Sequence, residues 1–247
     1  MLVLLPPSET KALGGDGPSL DLDSLSHPEL TPVRRKLADA LSELAEDVPA
    51  SITTLGITPN QADEVARNAE LWSSPTLPGL KRYTGVLYDA LDIGSFSKAA
   101  LAKANQRLAV ASALFGIVKA GDRIPAYRLS GNTTMPSLGT LRSLWRPTLE
   151  PVFAGMDDLI VDLRSGAYSA LARIPQAVDV RVVTDVGGVR KTVSHFNKSY
   201  KGKLAAVLAT ASREPSTVDG LVKLIGKAGL RVERTGERKL ELVTDHQ

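Results

Sequence analysis

Short apolar runs alternate with amphipathic stretches along the whole chain, and that alternation leaves few architectures open. Leu2–Leu5, Arg107–Ser112 (RLAVAS) and Leu159–Leu163 (LIVDL) are too short for buried helices and read as buried strands. Val178–Thr184 and Val189–His195 flank Asp185-Val186-Gly187-Gly188 and read as a β-hairpin, and Leu230–Arg234 with Leu240–Val243 read as a second one around Thr235-Gly236. Between these runs the period is helical. Val33, Leu37, Leu41 and Leu44 share one face of a helix that Pro49 should end. A helical turn at Ile52–Leu55, a helix from Pro59 to about Leu71, and helices at Thr84–Leu91 and Ser97–Asn105 follow. Leu138–Phe153 is also helical, although Pro147 and Pro151 should kink or shorten it. Further helices are expected near Ala167–Arg173, at Lys198–Ser212 and at Ser216–Ala228. No repeat and no low-complexity linker divides the chain. The expected fold is one mixed α/β (α+β) domain over residues 1–247, with a mixed sheet and a helical insertion near residues 30–105.

A chain of 247 residues with 43% apolar side chains can bury a substantial core, and with aromatics at 4% that core is aliphatic. No apolar run reaches the ~20 residues that cross a bilayer. The start lacks the basic segment and the long apolar run of a secretion signal, so the expected location is the cytoplasm. Cysteine is absent. That removes disulfides, thiolate nucleophiles and cysteine-held zinc or iron–sulfur clusters. His27, His195 and His246 lie far apart, so no metal site and no cofactor is expected.

The formal net charge is only +3, yet basic residues cluster. Gly187–Lys203 (GGVRKTVSHFNKSYKGK) carries Arg190, Lys191, Lys198, Lys201 and Lys203 and no acid. From Lys119 to Arg146, Lys119, Arg123, Arg128, Arg142 and Arg146 stand against Asp122 alone, interleaved with Tyr127 and Trp145. Such stretches suit phosphates, which ammonium and guanidinium groups neutralise, or else form a solvated face with the aromatics in the core. Around Gly56 (ITTLGITPNQA) two helical segments meet at a tight turn. Turn amides and a helix N-terminus can hold an anion there, as in a helix-hairpin-helix, but Thr58 replaces the second glycine, and an ordinary helical hairpin is the competing reading. A P-loop, a GxGxxG turn and a GxSxG elbow are all missing. Ser165 and Tyr168 follow a strand, the usual place for active-site groups in such sheets, though Ser165 also suits a helix N-cap.

Several blocks, in order, resemble the YaaA family of peroxide-stress proteins. Pro7 and Thr10 match its opening motif, with Glu9 where that motif has lysine. Tyr83–Leu91, and Leu114-Phe115-Gly116-Ile117-Val118-Lys119 continuing through Asp122 to Tyr127-Arg128-Leu129, are similar to two further blocks. Trp145 falls in the family's Phe-Trp helix. Asp162–Tyr168 resembles another block, with Ala167 in place of a glutamate. Lys198, Lys201 and Gly202 resemble its Ala-Lys-x-Ala-Arg-Gly signature. The resemblance implies a cytoplasmic protein linked to hydrogen peroxide resistance and the limiting of free iron, with a basic cleft, a helix-hairpin-helix-like element and DNA binding.

Three readings follow. In the first, Lys119, Arg123, Arg128, Arg190, Lys191, Lys198, Lys201 and Lys203 line one phosphate-binding cleft for double-stranded DNA, contacted with weak sequence preference, and Gly56 adds a secondary contact. In the second, an enzyme acts on a nucleobase or phosphorylated small molecule through Lys198, Tyr127, Arg128, Ser165 and Tyr168. In the third, the basic face meets an acidic protein. Lacking a thiol, the chain should protect against peroxide indirectly.

Overall fold

The first apolar run becomes β1 (Leu2–Leu5), buried on both faces at the centre of the main sheet. The computed structural model describes residues 1–186, 189–191 and 194–245. After β1 come α1 (Thr31–Leu44), α2 (Val48–Leu55), α3 (Asp63–Ala69), β2 (Leu77–Pro78), α4 (Gly79–Arg82), α5 (Val86–Leu91) and α6 (Lys98–Arg107). Next are β3 (Leu108–Ser112), β4 (Gly116–Lys119), β5 (Arg123–Ile124), β6 (Thr134–Met135), β7 (Gly139–Thr140), α7 (Leu141–Ala154), β8 (Ile160–Asp162) and α8 (Gly166–Ser169). The chain closes with β9 (Val178–Val186), β10 (Val189–Lys191), α9 (Ser194–Thr210), α10 (Val218–Lys227), β11 (Val232–Gly236) and β12 (Lys239–Asp245).

The main sheet runs β11-β12-β9-β8-β1-β3-β4, with β10 also pairing β9. Its five central strands are parallel, and β11, β10 and β4 are antiparallel additions. This is the expected mixed α/β fold. From β1 the chain moves to β3 on one side. It later returns to β8 on the other side of β1 and continues outward to β9 and β12. The β1/β8 boundary is therefore a switch point, where loops leaving adjacent strands diverge and open a crevice at their carboxyl ends. Beyond Asp162, where β8 stops, β10 takes over the same edge of β9.

Several boundaries differ from the sequence expectation. Pro49 does not end α1. It lies in the first turn of α2, where a missing N–H is harmless, and the Asp47 carboxylate caps that helix through Ala50 N. Likewise α7 runs through Pro147 and Pro151, because Leu141, Trp145, Leu149 and Phe153 bury one continuous stripe. The strand expected as far as His195 stops at Lys191, and α9 already starts at Ser194. The first hairpin forms, although its Gly187-Gly188 turn lies outside the described residues, as does His246.

Two fully buried arginines tie the helical insertion down, Arg34 to the β4 edge of the main sheet and Arg82 to β5 and the loop after β1. Arg34 donates to the carbonyls of Phe115, Ile117, Ser26 and His27 at 2.8–3.2 Å. Arg82 donates to the carbonyls of Ile124, Ala12, Gly14 and Pro75. Their charge is spread over backbone dipoles, and burial pulls both guanidinium pKa values down to about 10. The interleaved aromatics are core. Trp145 donates from its indole N–H to Ala113 O at 2.7 Å. Its ring leaves no room for a Cβ at Gly116, which has φ +74°. Both constraints fall on residues of the family-like blocks.

Candidate functional site

At the β1/β8 switch point lies a cleft of about 1140 Å³. The loop after β1 contributes Pro6–Thr10, the start of α5 contributes Thr84–Tyr88, and the segment after β8 contributes Arg164–Gly166 and Tyr168. Lys198 and Lys201 of α9 and Arg173 form the basic part of the wall beside Asn197, Arg181 stands on β9, and Asp162 and Asp179 also line the cleft.

The loop after β1 is tightly fixed. Thr84 N donates to Thr10 O at 3.3 Å and Ala12 N to Arg82 O at 2.9 Å. The Thr84 hydroxyl donates to that of Thr10 at 3.2 Å, and Ser8 lies 3.1 Å from Thr10. Glu9, at the cleft, takes an ion pair from Arg128 at 3.1 Å. Beneath the loop Lys11 is buried. Its Nζ donates to Ser8 O at 3.0 Å and lies 4.3 Å from the centre of the Tyr127 ring and 5.5 Å from that of Tyr83. Burial pulls the ammonium pKa down to about 8, opposed in part by the charge of Glu9. Tyr127, Tyr83 and Ser112 form a buried hydroxyl chain, with O···O distances of 2.9 and 2.7 Å. Burial raises the pKa of both tyrosines.

The segment after β8 is fixed in a parallel way. Lys201 is buried, and its Nζ donates to Leu163 O at 2.7 Å and Arg164 O at 3.3 Å. Burial lowers its pKa, and the charges of Asp162 and Asp179 oppose that shift. The Arg164 guanidinium grips both oxygens of Asp162 at 2.9 and 2.8 Å. Ser165 is the N-cap residue of α8 as expected, but its side chain makes no capping bond.

The predicted site residues are divided by this geometry. Lys198, Lys201, Ser165 and Tyr168 line the cleft, and Arg128 reaches it through Glu9. Lys198 is exposed and has no ion pair or hydrogen bond among the described residues. Lys191 and Lys203 are exposed as well, the latter with its Nζ 4.8 Å from the Tyr200 ring centre. Lys119 lies elsewhere. It ends β4 opposite Ala109, at the amino end of β3, so the sheet separates it from the cleft. Arg123 is ion-paired with Asp16, and Arg190 with Glu233 and Glu241. Tyr127 is buried behind the cleft wall.

The Gly56 turn does form, but the helix-hairpin-helix detail is not confirmed, because its amides are occupied. Gly56 N donates to Thr53 O and Ile57 N to Ile52 O, while Thr58 N donates to Gln61 Oε1. The helix after the turn is broken into a 3-10 turn, Pro59–Gln61, and the short α3.

Sequence reasoning missed Lys11, Asn68, Arg164, Arg173 and Arg181. Asn68 exchanges two hydrogen bonds with the Arg128 backbone, at 2.9 and 2.8 Å, and so sets that strand-like segment. The one available signal for Lys11 was its position two residues after Glu9, where the family motif has its lysine. Among the described residues no group of three or more His, Asp or Glu could hold a metal ion, and no helix is long and apolar enough to cross a membrane.

A profile of the family described as "Peroxide stress protein YaaA" matches residues 1–235. The chain is 49% identical over 244 residues to a UPF0246 protein of Corynebacterium efficiens, covering 97% of each. It is 41% identical over 245 residues to one of Streptomyces coelicolor, covering 97% of this chain and 94% of the relative. A UPF0246 protein of Shewanella woodyi is 29% identical over 222 residues, with 83% and 84% covered. A sheet built on β1, β3 and β8, the Gly116–Trp145 contact and the Lys201-Gly202 pair within α9 all fall within the matched residues, and the chain belongs to the YaaA family of peroxide stress proteins.

Proposed function

We propose that the protein serves peroxide defence by binding DNA phosphates at the mouth of the β1/β8 cleft, with weak sequence preference. The observation that carries this reading is the placement of Lys198. It is exposed at a large crevice, at the switch point of the sheet, with no carboxylate in ion-pair contact among the described residues. Arg173 stands on the same cleft wall, and Lys191 lies on the strand that extends past the end of β8. The contact face is thus narrower than the two-stretch channel expected from sequence, since Lys119 belongs to the far end of the sheet. Phosphate contact of this kind positions a duplex without reading its bases. The absence of cysteine makes the protection indirect with respect to thiol chemistry.

The test is fluorescence anisotropy of a labelled duplex at several salt concentrations. Affinity should fall steeply as salt rises, and Lys198→Ala should weaken it. Salt-independent affinity, or full affinity in that variant, overturns the reading.

A second reading has its own support. The cleft volume matches a nucleotide-sized ligand better than a flat duplex contact, and Ser8, Thr10 and Thr84 present hydroxyls at its edge. Here the cleft takes a phosphorylated small molecule, on which the protein acts as an enzyme. Competition of the bound duplex by adenosine monophosphate distinguishes the two, since a free nucleotide displaces DNA at comparable site occupancy only if it fills the cleft.

A further inference from the structure

The two loops that frame the cleft leave neighbouring strands, and a buried ammonium holds each one. Lys201 donates to the carbonyls of Leu163 and Arg164, consecutive residues after β8. Lys11 donates to Ser8 O at 3.0 Å and approaches Glu9 O at 3.5 Å, consecutive residues after β1. Neither ammonium has a carboxylate in ion-pair contact among the described residues. A buried lysine without such a partner is unfavourable unless its charge does something that a neutral side chain cannot. Carbonyl oxygens are acceptors only, so a charged amine with three donors ties two of them down at once.

We propose that Lys11 is a positioning residue of the cleft: its charged ammonium fixes the Ser8–Thr10 loop and keeps a positive charge directly behind the hydroxyls that border the anion site. The inference rests on the cleft being the anion-binding site. Lys201 plays the corresponding part for the loop after β8, and the two together place positive charge behind both halves of the crevice. The groups around Lys11 are few. Glu9 and Glu64 favour its charge, and Arg128 and Arg67 oppose it. Tyr83 and Tyr127 present their rings and stay neutral, because burial raises both hydroxyl pKa values. Burial thus pulls the ammonium pKa down to about 8 while it raises those of the two phenols against it. When the ammonium releases its proton, one loop carbonyl loses its strongest donor.

The decisive measurement follows the backbone amide resonances of Ser8, Glu9 and Thr10 in the 15N-labelled full chain across neutral to alkaline pH. In the wild type they should shift together through one transition with its midpoint near pH 8. In Lys11→Met and Lys11→Arg that transition should vanish, since methionine never carries the charge and arginine never loses it. A flat wild-type loop, or an unchanged transition in either variant, overturns the inference. If Lys11→Met fails to fold, Lys11→Arg and the Tyr127 ring resonances of the wild type decide the question, because that ring lies against the ammonium. A labelled duplex titrated at pH 7 and pH 9 supplies the second readout. Its affinity for wild type should weaken across this interval, and the change should be smaller in Lys11→Arg; equal pH dependence in the two proteins overturns the inference. Should wild type bind no duplex at all, the DNA reading falls while the amide titration still judges Lys11.

Discussion

The ammonium of Lys11 lies 4.3 Å from the centre of the Tyr127 ring and hydrogen-bonds Ser8 O at 3.0 Å, with no carboxylate in ion-pair contact among the described residues. Lys11, which sequence reasoning missed, is thus a buried cation behind the segment after β1 that lines the cleft. Its consequences for stability have a definite sign. Its folded pKa, about 8, lies below its ordinary value of 10.5. Between these values the unfolded chain binds more protons, so the Lys11 contribution to stability rises with pH. The penalty for burying the charge is complete below pH 8 and is relieved by about 3 kcal/mol on reaching pH 10.5. Urea unfolding of wild type and Lys11→Met should therefore give a stability difference that moves in favour of wild type across that window. Parallel pH profiles would count against a buried, charged Lys11.

Gly202 tests the packing of α9 on α5. A Cβ there would come within 2.2 Å of Leu87 O and 2.8 Å of Ala90 Cβ. Backbone cannot move away cheaply, so Gly202→Ala should destabilise the fold by about 1–3 kcal/mol. Because α5 begins beside Thr84 and Gly85, the same change should weaken whatever the cleft binds. Thermal unfolding followed by circular dichroism measures the first effect, and an unchanged midpoint would refute the close approach.

Arg34 is a structural cation rather than a ligand. Replacing it with methionine keeps most of the stem but leaves the carbonyls of Phe115, Ile117, Ser26 and His27 without that donor. Orphaned buried acceptors cost about 1–3 kcal/mol each when water cannot reach them. Arg34→Met should lose at least about 3 kcal/mol in denaturant unfolding, far more than Arg35→Met on the exposed side of the same helix. Equal losses in the two variants would refute the assignment.

The two ends of the sheet separate the basic residues into distinct predictions. Lys198→Ala should reduce the magnitude of the salt slope of duplex binding by about 0.9 if its ammonium neutralises one phosphate. Lys119→Ala, at the amino end of β3, should leave the slope unchanged. If both variants lower it equally, the duplex covers both ends of the sheet and the cleft is not the sole contact.

Local pattern revealed the elements but little of the site. Four-residue spacing found α1, and the apolar runs found β1, β3, β8 and β9, because burial of a helix stripe or a strand face is written into a short window. Proline misled at Pro49, Pro147 and Pro151, where position within a helix and the burial of Trp145 and Leu149 outweighed a lost backbone donor. The basic stretches were visible as sequence, but the partners of their side chains were not. Asp16 lies 107 residues from Arg123, and Glu233 and Glu241 come from the last hairpin to meet Arg190.

By itself the sequence determined the mixed α/β class, the cysteine-free chemistry, the aliphatic core and the family, since each depends on composition or on order along the chain. Tertiary structure alone decided that β8 returns beside β1, and with it the cleft, the separation of Lys119 from Lys198 and the burial of Lys11 and Lys201. The reason is physical. A charge acts according to what lies within a few ångströms of it, and strand order, which no local window encodes, sets those neighbours.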